Sequence, residues 1–186
     1  MIPGWELPKS ARIGGVSYPI HADYRDVLQI FYHLDDPELP EFLRWHIALA
    51  LFYEGEIPRE HRQEAMEYLA AFLNGGRDFE PCPGPRLLDW QQDAQCIVAE
   101  VNKVAGQEIR ALSFVHWWTF LAWFHAIGQG QLSTLIAIRD KLRRGRKLEK
   151  WEQDFYRENK QAVDLKKRYS ADQLAEQERL KRLLDG

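Results

Sequence analysis

Residues 89–106 read DWQQDAQCIVAEVNKVAG, and this stretch carries the pattern on which the fold prediction depends. Asp89 is a favourable helix N-cap, and Gln92 stands three residues later as its capping-box partner. Gly106 is a typical residue for a helix end. The apolar positions between these ends recur every three or four residues: Trp90, Ala94, Ile97, Val98, Val101 and Ala105. This spacing predicts an amphipathic helix.

The other side of the same helix is polar. Asp93 and Glu100 fall on that side, and because mixed charge is ordinary on exposed helix faces we expect both to be solvated. Cys96 also lies outside the apolar stripe. With Cys82 it forms no CxxC spacing, so the sequence predicts two reduced, non-catalytic thiols.

Helix signals recur on both sides of this segment. The further predicted helices span residues 24–34, 40–53, 58–73, 114–127, 132–143, 147–169 and 170–184. Asp23 and Ser113 are the expected caps of the first and the fourth of these. The segment 40–53 is apolar nearly all round, which predicts a central helix.

These elements predict the fold class. The first twenty residues are rich in Pro and Gly and indicate irregular or short extended structure. No segment shows convincing strand alternation. The sequence therefore predicts an all-α, single compact multi-helix domain with about eight helices, residues 21–169. An irregular N-terminal arm, 1–20, and a charged C-terminal helix, 170–186, flank it, and the Pro-rich loop around residues 81–85 is the expected internal hinge.

Composition excludes several classes of protein. With 186 residues, 45 % hydrophobic and 28 % charged, the chain is neither disordered nor collagen-like nor a disulfide scaffold. A net charge of −3 excludes a polybasic nucleic-acid binder. The charge is unevenly placed, because residues 1–138 carry 10 basic and 18 acidic groups and the rest carry 15 and 10. Such asymmetry suits an intramolecular contact or the attraction of a partner.

Targeting signals are also absent from the pattern. The first residues show no basic region followed by an apolar run, which predicts a cytoplasmic protein without a signal peptide. The residues between Arg110 and Arg139 include no Asp, Glu, Lys or Arg. His116, His125 and Gly128 interrupt this run, which favours two buried helices over a membrane span.

No catalytic or metal-binding grouping stands out. His116 and His125 are nine residues apart, which places them on opposite sides of one helix. No HxxxH, HExxH or GxSxG spacing occurs, so we expect no enzyme, no metal and no cofactor. His116 is expected to be a core histidine that hydrogen-bonds a neighbour. A basic run, Lys141, Arg143, Arg144, Arg146 and Lys147, is compatible either with phosphate contacts or with a solvated helix face.

Residues 89–142 resemble a known phage family. The similar positions are Asp89-Trp90, Asp93-Ala94, Ile97, Leu112, His116-Trp117-Trp118-Thr119-Phe120, Ile136 and Ile138-Arg139. Weaker similarity upstream involves Asp23-Tyr24-Arg25, Glu64-Ala65 and Phe72. The pattern resembles the bacteriophage "gene product fifteen" family, small proteins encoded in the tail module of long-tailed phages, over about residues 18–170. One departure is Arg110, which follows Ile109 where the family often has an acid.

The resemblance implies a helical, non-enzymatic protein of tail morphogenesis. It is similar in role to a tail assembly chaperone, which binds the tape-measure protein and recruits tail tube protein in the host cytoplasm. Such a role needs an apolar binding surface, and the candidate residues are Trp117, Trp118, Phe120, Leu121, Trp123 and Phe124. The same side chains would also suit an ordinary core.

Other functions stay open at this stage. The protein is alternatively a structural component retained in the tail or its connector. It is alternatively a nucleic-acid-binding accessory protein that uses residues 141–147. An enzyme centred on His116 is the least favoured, and self-association is compatible with the sequence without being required by it.

Overall fold

A computed structural model of the chain describes residues 5–77 and 86–166. These residues form two compact units, an N-terminal unit of residues 8–72 and a C-terminal unit of residues 5–7 and 73–166. Within the described ranges there are eight α-helices and one small β-hairpin. The protein is therefore mostly helical, and the prediction of an all-α fold is corrected by the hairpin.

The N-terminal unit begins with this hairpin. Strand β1 (Ser10–Ile13) pairs antiparallel with β2 (Val16–Pro19). Gly14 and Gly15 form the two-residue turn with φ of +57° and +81°. Positive φ at both positions matches the right-handed twist of a hairpin, and glycine adopts it without steric cost. The sequence predicted irregular or short extended structure here without defining strands, because strands of four residues are too short for their alternation to stand out, but the Gly-Gly pair is a hairpin signal.

Three helices complete the N-terminal unit: α1 (Tyr24–Leu34), α2 (Glu41–Phe52) and α3 (Arg62–Leu73). As predicted, Asp23 caps α1, its carboxylate accepting a hydrogen bond from the Arg25 amide at 3.0 Å. The core includes Phe52 and Phe72, whose ring centroids are 4.9 Å apart. The predicted central position holds only for the second half of α2, which is buried in this core. Near the start of the helix, Phe42 is 75 % exposed.

The described part of the C-terminal unit contains five α-helices. They are α4 (Ala94–Ala105), α5 (Trp117–His125), α6 (Gln131–Arg143), α7 (Lys150–Glu158) and α8 (Lys160–Val163). The helix predicted from residue 114 starts three residues later, and the helix predicted over 147–169 is divided at Asn159. Gly106 ends α4 as predicted, with φ of +69°.

Part of the predicted organisation lies outside the described residues. This applies to the expected hinge around residues 81–85, to Cys82 and to the charged helix over 170–186. No described helix is both long enough and apolar enough to cross a membrane.

Candidate partner-binding surfaces

Arg139 of α6 is buried and uses all five of its N–H groups. Two bonds of 2.7 Å reach the Asp93 carboxylate, and three of 2.6–2.9 Å reach the carbonyl oxygens of Leu87, Ala162 and Val163. Both charged side chains are about 3 % exposed or less. A planar guanidinium with five donors suits this arrangement, which lysine could not reproduce. Arg139 therefore connects the start of α4, α6 and the end of α8.

Asp89 and Gln92 extend the same network. The Asp89 carboxylate accepts hydrogen bonds from the amides of Gln91 and Gln92 at 2.8 and 2.9 Å and so closes a turn. The prediction that Asp89 is the N-cap of the helix is wrong, because α4 begins at Ala94 and Asp93 precedes it. The Gln92 side chain does not complete a capping box. Its amide instead donates to the Asp164 carbonyl at 2.9 Å and accepts from the Lys166 amide at 3.0 Å.

The predicted solvation of Asp93 and Glu100 is wrong. Asp93 is 3 % exposed and Glu100 is 7 % exposed. Asp93 is paired with Arg139, and Glu100 accepts a hydrogen bond from the Lys103 ammonium at 3.1 Å. Each buried charge thus has a partner, as burial requires. The family-like residues Asp89, Asp93 and Arg139 consequently form an internal polar network.

The aromatic side chains of α5 divide into an inner and an outer group. Trp117, Trp118 and Phe120 are buried. Trp117 stacks on Phe120 at 5.5 Å, and Trp90 lies 5.9 Å from Trp117. These three buried candidates therefore support the fold and have little surface to offer a partner.

The other three candidates of α5 are partly buried: Leu121, Trp123 and Phe124. Phe124 still packs on Trp90, with ring centroids 5.1 Å apart. Trp123 makes no ring contact with another aromatic side chain among the described residues. Of the six candidates, Trp123 is thus the large aromatic side chain that the inner ring packing leaves for another contact.

His116 is the N-cap of α5. Its ring is 4 % exposed, and Nδ1 accepts a hydrogen bond from the Trp118 amide at 3.1 Å. The expectation of a core histidine that hydrogen-bonds a neighbour is confirmed. Ser113, the predicted cap, lies in a bend four residues before the start of α5 and is therefore not its N-cap.

A groove between α2 and α3 was missed at the sequence level. It measures about 860 Å³, and its apolar lining is Phe42, Leu43, Trp45, Leu49, Met66 and Ala70. Glu41, Glu67 and Arg62 contribute charges to its wall. The signal was the continuous apolar surface of α2, which indicated burial but equally suits a helix with one side left uncovered.

Two residues of the basic run form ion pairs within the described chain, and the other three are exposed without one. Lys141 binds Glu152 at 2.6 Å, and Arg144 binds Asp140 at 2.6 Å. Arg143, Arg146 and Lys147 are exposed and form no ion pair with another described residue. Only part of the predicted patch is therefore available to a partner.

Potential metal ligands and two side chains with raised pKa values complete the description of the interior. Within residues 5–77 and 86–166, no three His, Cys, Asp or Glu side chains are grouped so as to hold a metal ion. Cys96 is partly buried against Leu135 and Ile138, and this burial raises the pKa of its thiol, which disfavours the reactive thiolate. Burial raises the pKa of Tyr53 as well, and its hydroxyl donates to the Ala65 carbonyl at 2.9 Å.

These features define a small, mostly helical protein whose distinctive residues form an internal network. Comparison with known proteins supplies its family: the chain matches the family model described as "Bacteriophage Gp15 protein" over residues 5–165. The chain therefore belongs to this bacteriophage family, which confirms the resemblance seen in the sequence. No curated protein and no solved structure matches it. Family membership supports a role in phage structure or morphogenesis.

Proposed function

We propose that this protein is a non-enzymatic tail assembly chaperone that binds the tape-measure protein and through it assists the addition of tail tube protein. Family membership supports a phage morphogenesis role. The partly exposed Trp123 of α5, which makes no ring contact with another aromatic side chain of the described residues, is the observation that carries the binding assignment.

The construction of α5 supports this assignment. Trp117 and Phe120 are buried and fix the helix in the C-terminal unit, while the His116 cap fixes its first turn. Trp123 is thus presented on a rigid helix, so a partner need not order this part of the chain on binding. Half-exposed tryptophan is enriched at protein interfaces, where it supplies a large apolar area and one hydrogen-bond donor. A long amphipathic tape-measure helix offers the matching apolar stripe.

Co-expression with the tape-measure protein of the same phage, followed by affinity purification, tests the proposal. Trp123→Ala should reduce the amount of co-purified protein about tenfold or more, because central aromatic anchors carry much of the energy of an interface. Val104→Ala, which trims an exposed apolar residue of α4 that is 39 % exposed, is the matched control and should bind as the wild type does.

Each failure of this experiment has its own meaning. No complex with the wild-type chain would contradict the tape-measure partner. A complex that Trp123→Ala leaves intact would retain the partner and refute α5 as the surface. Far-UV circular dichroism of each variant shows whether lost binding reflects lost folding.

Virion composition separates the chaperone from the structural alternative. An assembly chaperone should be absent from purified particles or far below the copy number of the tail tube protein. Quantitative mass spectrometry that finds one copy for each tube subunit, or a fixed ring number, would favour a component retained in the tail.

A further inference from the structure

The connection between α6 and α7 forms an exposed, positively charged turn, defined here as the basic turn, residues 143–151. Its sequence contains five Lys or Arg residues and one Glu. Beyond the three unpaired cations already described, Lys150 is also exposed and forms no ion pair within the described chain. Four cations thus stand in water on a short stretch of backbone.

Trp151 gives this turn an apolar centre. Its side chain is 55 % exposed, and its indole N–H donates to the Glu149 carboxylate at 3.0 Å. The hydrogen bond holds the ring in one orientation, so docking would cost little conformational entropy.

The groove between α2 and α3 has the opposite character. Phe42 at its edge is 75 % exposed, and the lining is mainly apolar. The chain that leads into it, residues 35–41, holds four carboxylates and no Lys or Arg. The whole N-terminal unit carries six basic and eleven acidic residues between positions 8 and 72, a net charge of −5.

We propose that copies of this chain associate head to tail, with the basic turn of one copy seated in the α2–α3 groove of the next. Trp151 enters the apolar groove beside Phe42, Trp45 and Met66, and the surrounding cations face the acidic N-terminal unit. A groove of about 860 Å³ has room for an indole and its neighbours. Complementary charge steers the encounter and sets its orientation.

The two surfaces lie on different parts of the chain, so the contact is heterologous. Each copy that donates its turn still has a free groove, and association therefore continues into a ring or an open filament rather than stopping at a two-fold dimer. This association is independent of the proposed binding of the tape-measure protein, because Trp123 takes no part in it.

Half-blocked variants of the full chain test the proposal. A turn variant, Trp151→Ala with Lys147→Glu, removes the apolar centre and one cation. A groove variant, Phe42→Ser with Glu41→Lys, changes the receiving edge. All four positions are exposed, so neither variant should disturb folding. Arg12→Glu, an exposed charge reversal on β1, is the control.

Sedimentation velocity over a series of protein concentrations gives the readout. The wild type and Arg12→Glu should exceed the mass of a dimer at low salt and dissociate at high salt, since exposed charges are screened. Each half-blocked variant alone should remain monomeric. Their mixture should form a 1:1 dimer and nothing larger, because one copy retains only its groove and the other only its turn.

Three results would overturn the inference. A wild-type chain that stays monomeric at the highest concentration excludes the contact. Oligomers that persist in either half-blocked variant place the contact elsewhere. A mixture of the two variants that remains monomeric shows that turn and groove do not bind each other. None of these results affects the tape-measure proposal, which co-purification tests separately.

Discussion

Arg139 shows how a single residue holds the C-terminal unit together. Its five hydrogen bonds join Asp93, Leu87 and the chain at residues 162–163. Because the guanidinium and the carboxylate are both buried, removal of one leaves the charge of the other in the interior without its counter-ion. Removal of one partner therefore costs more free energy than the intact pair contributes as net stabilisation.

Arg139→Met should lower the free energy of unfolding by about 3–5 kcal/mol, because it strands the Asp93 carboxylate in the interior. Urea denaturation monitored by circular dichroism measures this loss. Arg157→Met breaks an exposed pair with Asp154 and should cost about 1 kcal/mol or less. Adding Asp93→Leu to Arg139→Met should recover part of the loss. Equal effects of the two single substitutions would contradict the structural role of the buried pair.

The cap of α5 is a second prediction at the residue scale. His116→Ala removes the acceptor for the Trp118 amide and should cost about 1–2 kcal/mol of unfolding free energy. His116→Asn retains a side-chain acceptor and should cost distinctly less. Urea denaturation of the two variants gives the comparison. If both variants unfold together well below the wild type, ring packing rather than capping explains the role of His116.

Sequence alone could predict His116 as a bonded core residue but not the burial of Asp93. The partner of Asp93 lies 46 residues away, and helical periodicity describes only neighbours on one helix. A carboxylate on a polar helix side therefore looks solvated until its distant arginine is placed. The similarity of Asp89, Asp93 and Arg139 to one family was the available hint that they act together.

At the scale of elements, the hairpin depends on its two glycines. A Cβ atom at Gly14 would meet the His61 ring, whereas at Gly15 it would meet no atom within 4 Å. Gly15→Ala should therefore cost about 1–2 kcal/mol from the left-handed backbone alone. Gly14→Ala should cost more, because backbone strain and the clash add. Thermal unfolding of the two variants tests the order, and equal losses would refute the close approach of His61.

The link between α6 and α7 gives a pH-dependent prediction. Hydrogen bonds from the Lys141 ammonium and the Glu149 amide hold the pKa of Glu152 below its ordinary value. A lowered pKa in the folded state stabilises the protein above the ordinary value of about 4.5, and this contribution is lost as the pH falls through the folded-state pKa.

Glu152→Gln should therefore be less stable than the wild type at neutral pH, with a difference that shrinks as the pH falls below about 4.5. Urea denaturation at several pH values measures the difference. Glu158→Gln, on the exposed side of α7, should leave the pH profile unchanged. A constant difference between Glu152→Gln and the wild type down to acidic pH would contradict the ion pair.

Helix bounds were predictable where the capping or turn residues and the apolar periodicity indicated the same ends. Helices α1 and α6 begin and end within a residue of their predicted bounds. The prediction failed where a local feature outweighed periodicity. The hairpin depends on a Gly-Gly turn, and the start of α5 depends on a histidine cap. The groove beside α2 was not predictable, because an apolar helix side does not reveal whether another element covers it.

At the scale of the whole molecule, the protein combines an internal polar network with surfaces that differ in character. Helix α5 presents the partly exposed Trp123, the basic turn is cationic, and the α2–α3 groove is apolar within an acidic unit. A chaperone that covers a long partner needs one surface for that partner and others for neighbouring copies. The different chemistry of the three surfaces suits the proposed binding of the tape-measure protein and the proposed association between copies.

The most direct measurement is the mass of the complex that forms when the chain is co-expressed with the tape-measure protein of its phage. Multi-angle light scattering on the purified complex gives the number of copies bound. The account predicts a stable complex with several copies on each tape-measure chain, weakened by Trp123→Ala. A chain that is folded, elutes alone and leaves the tape-measure protein unbound would contradict it.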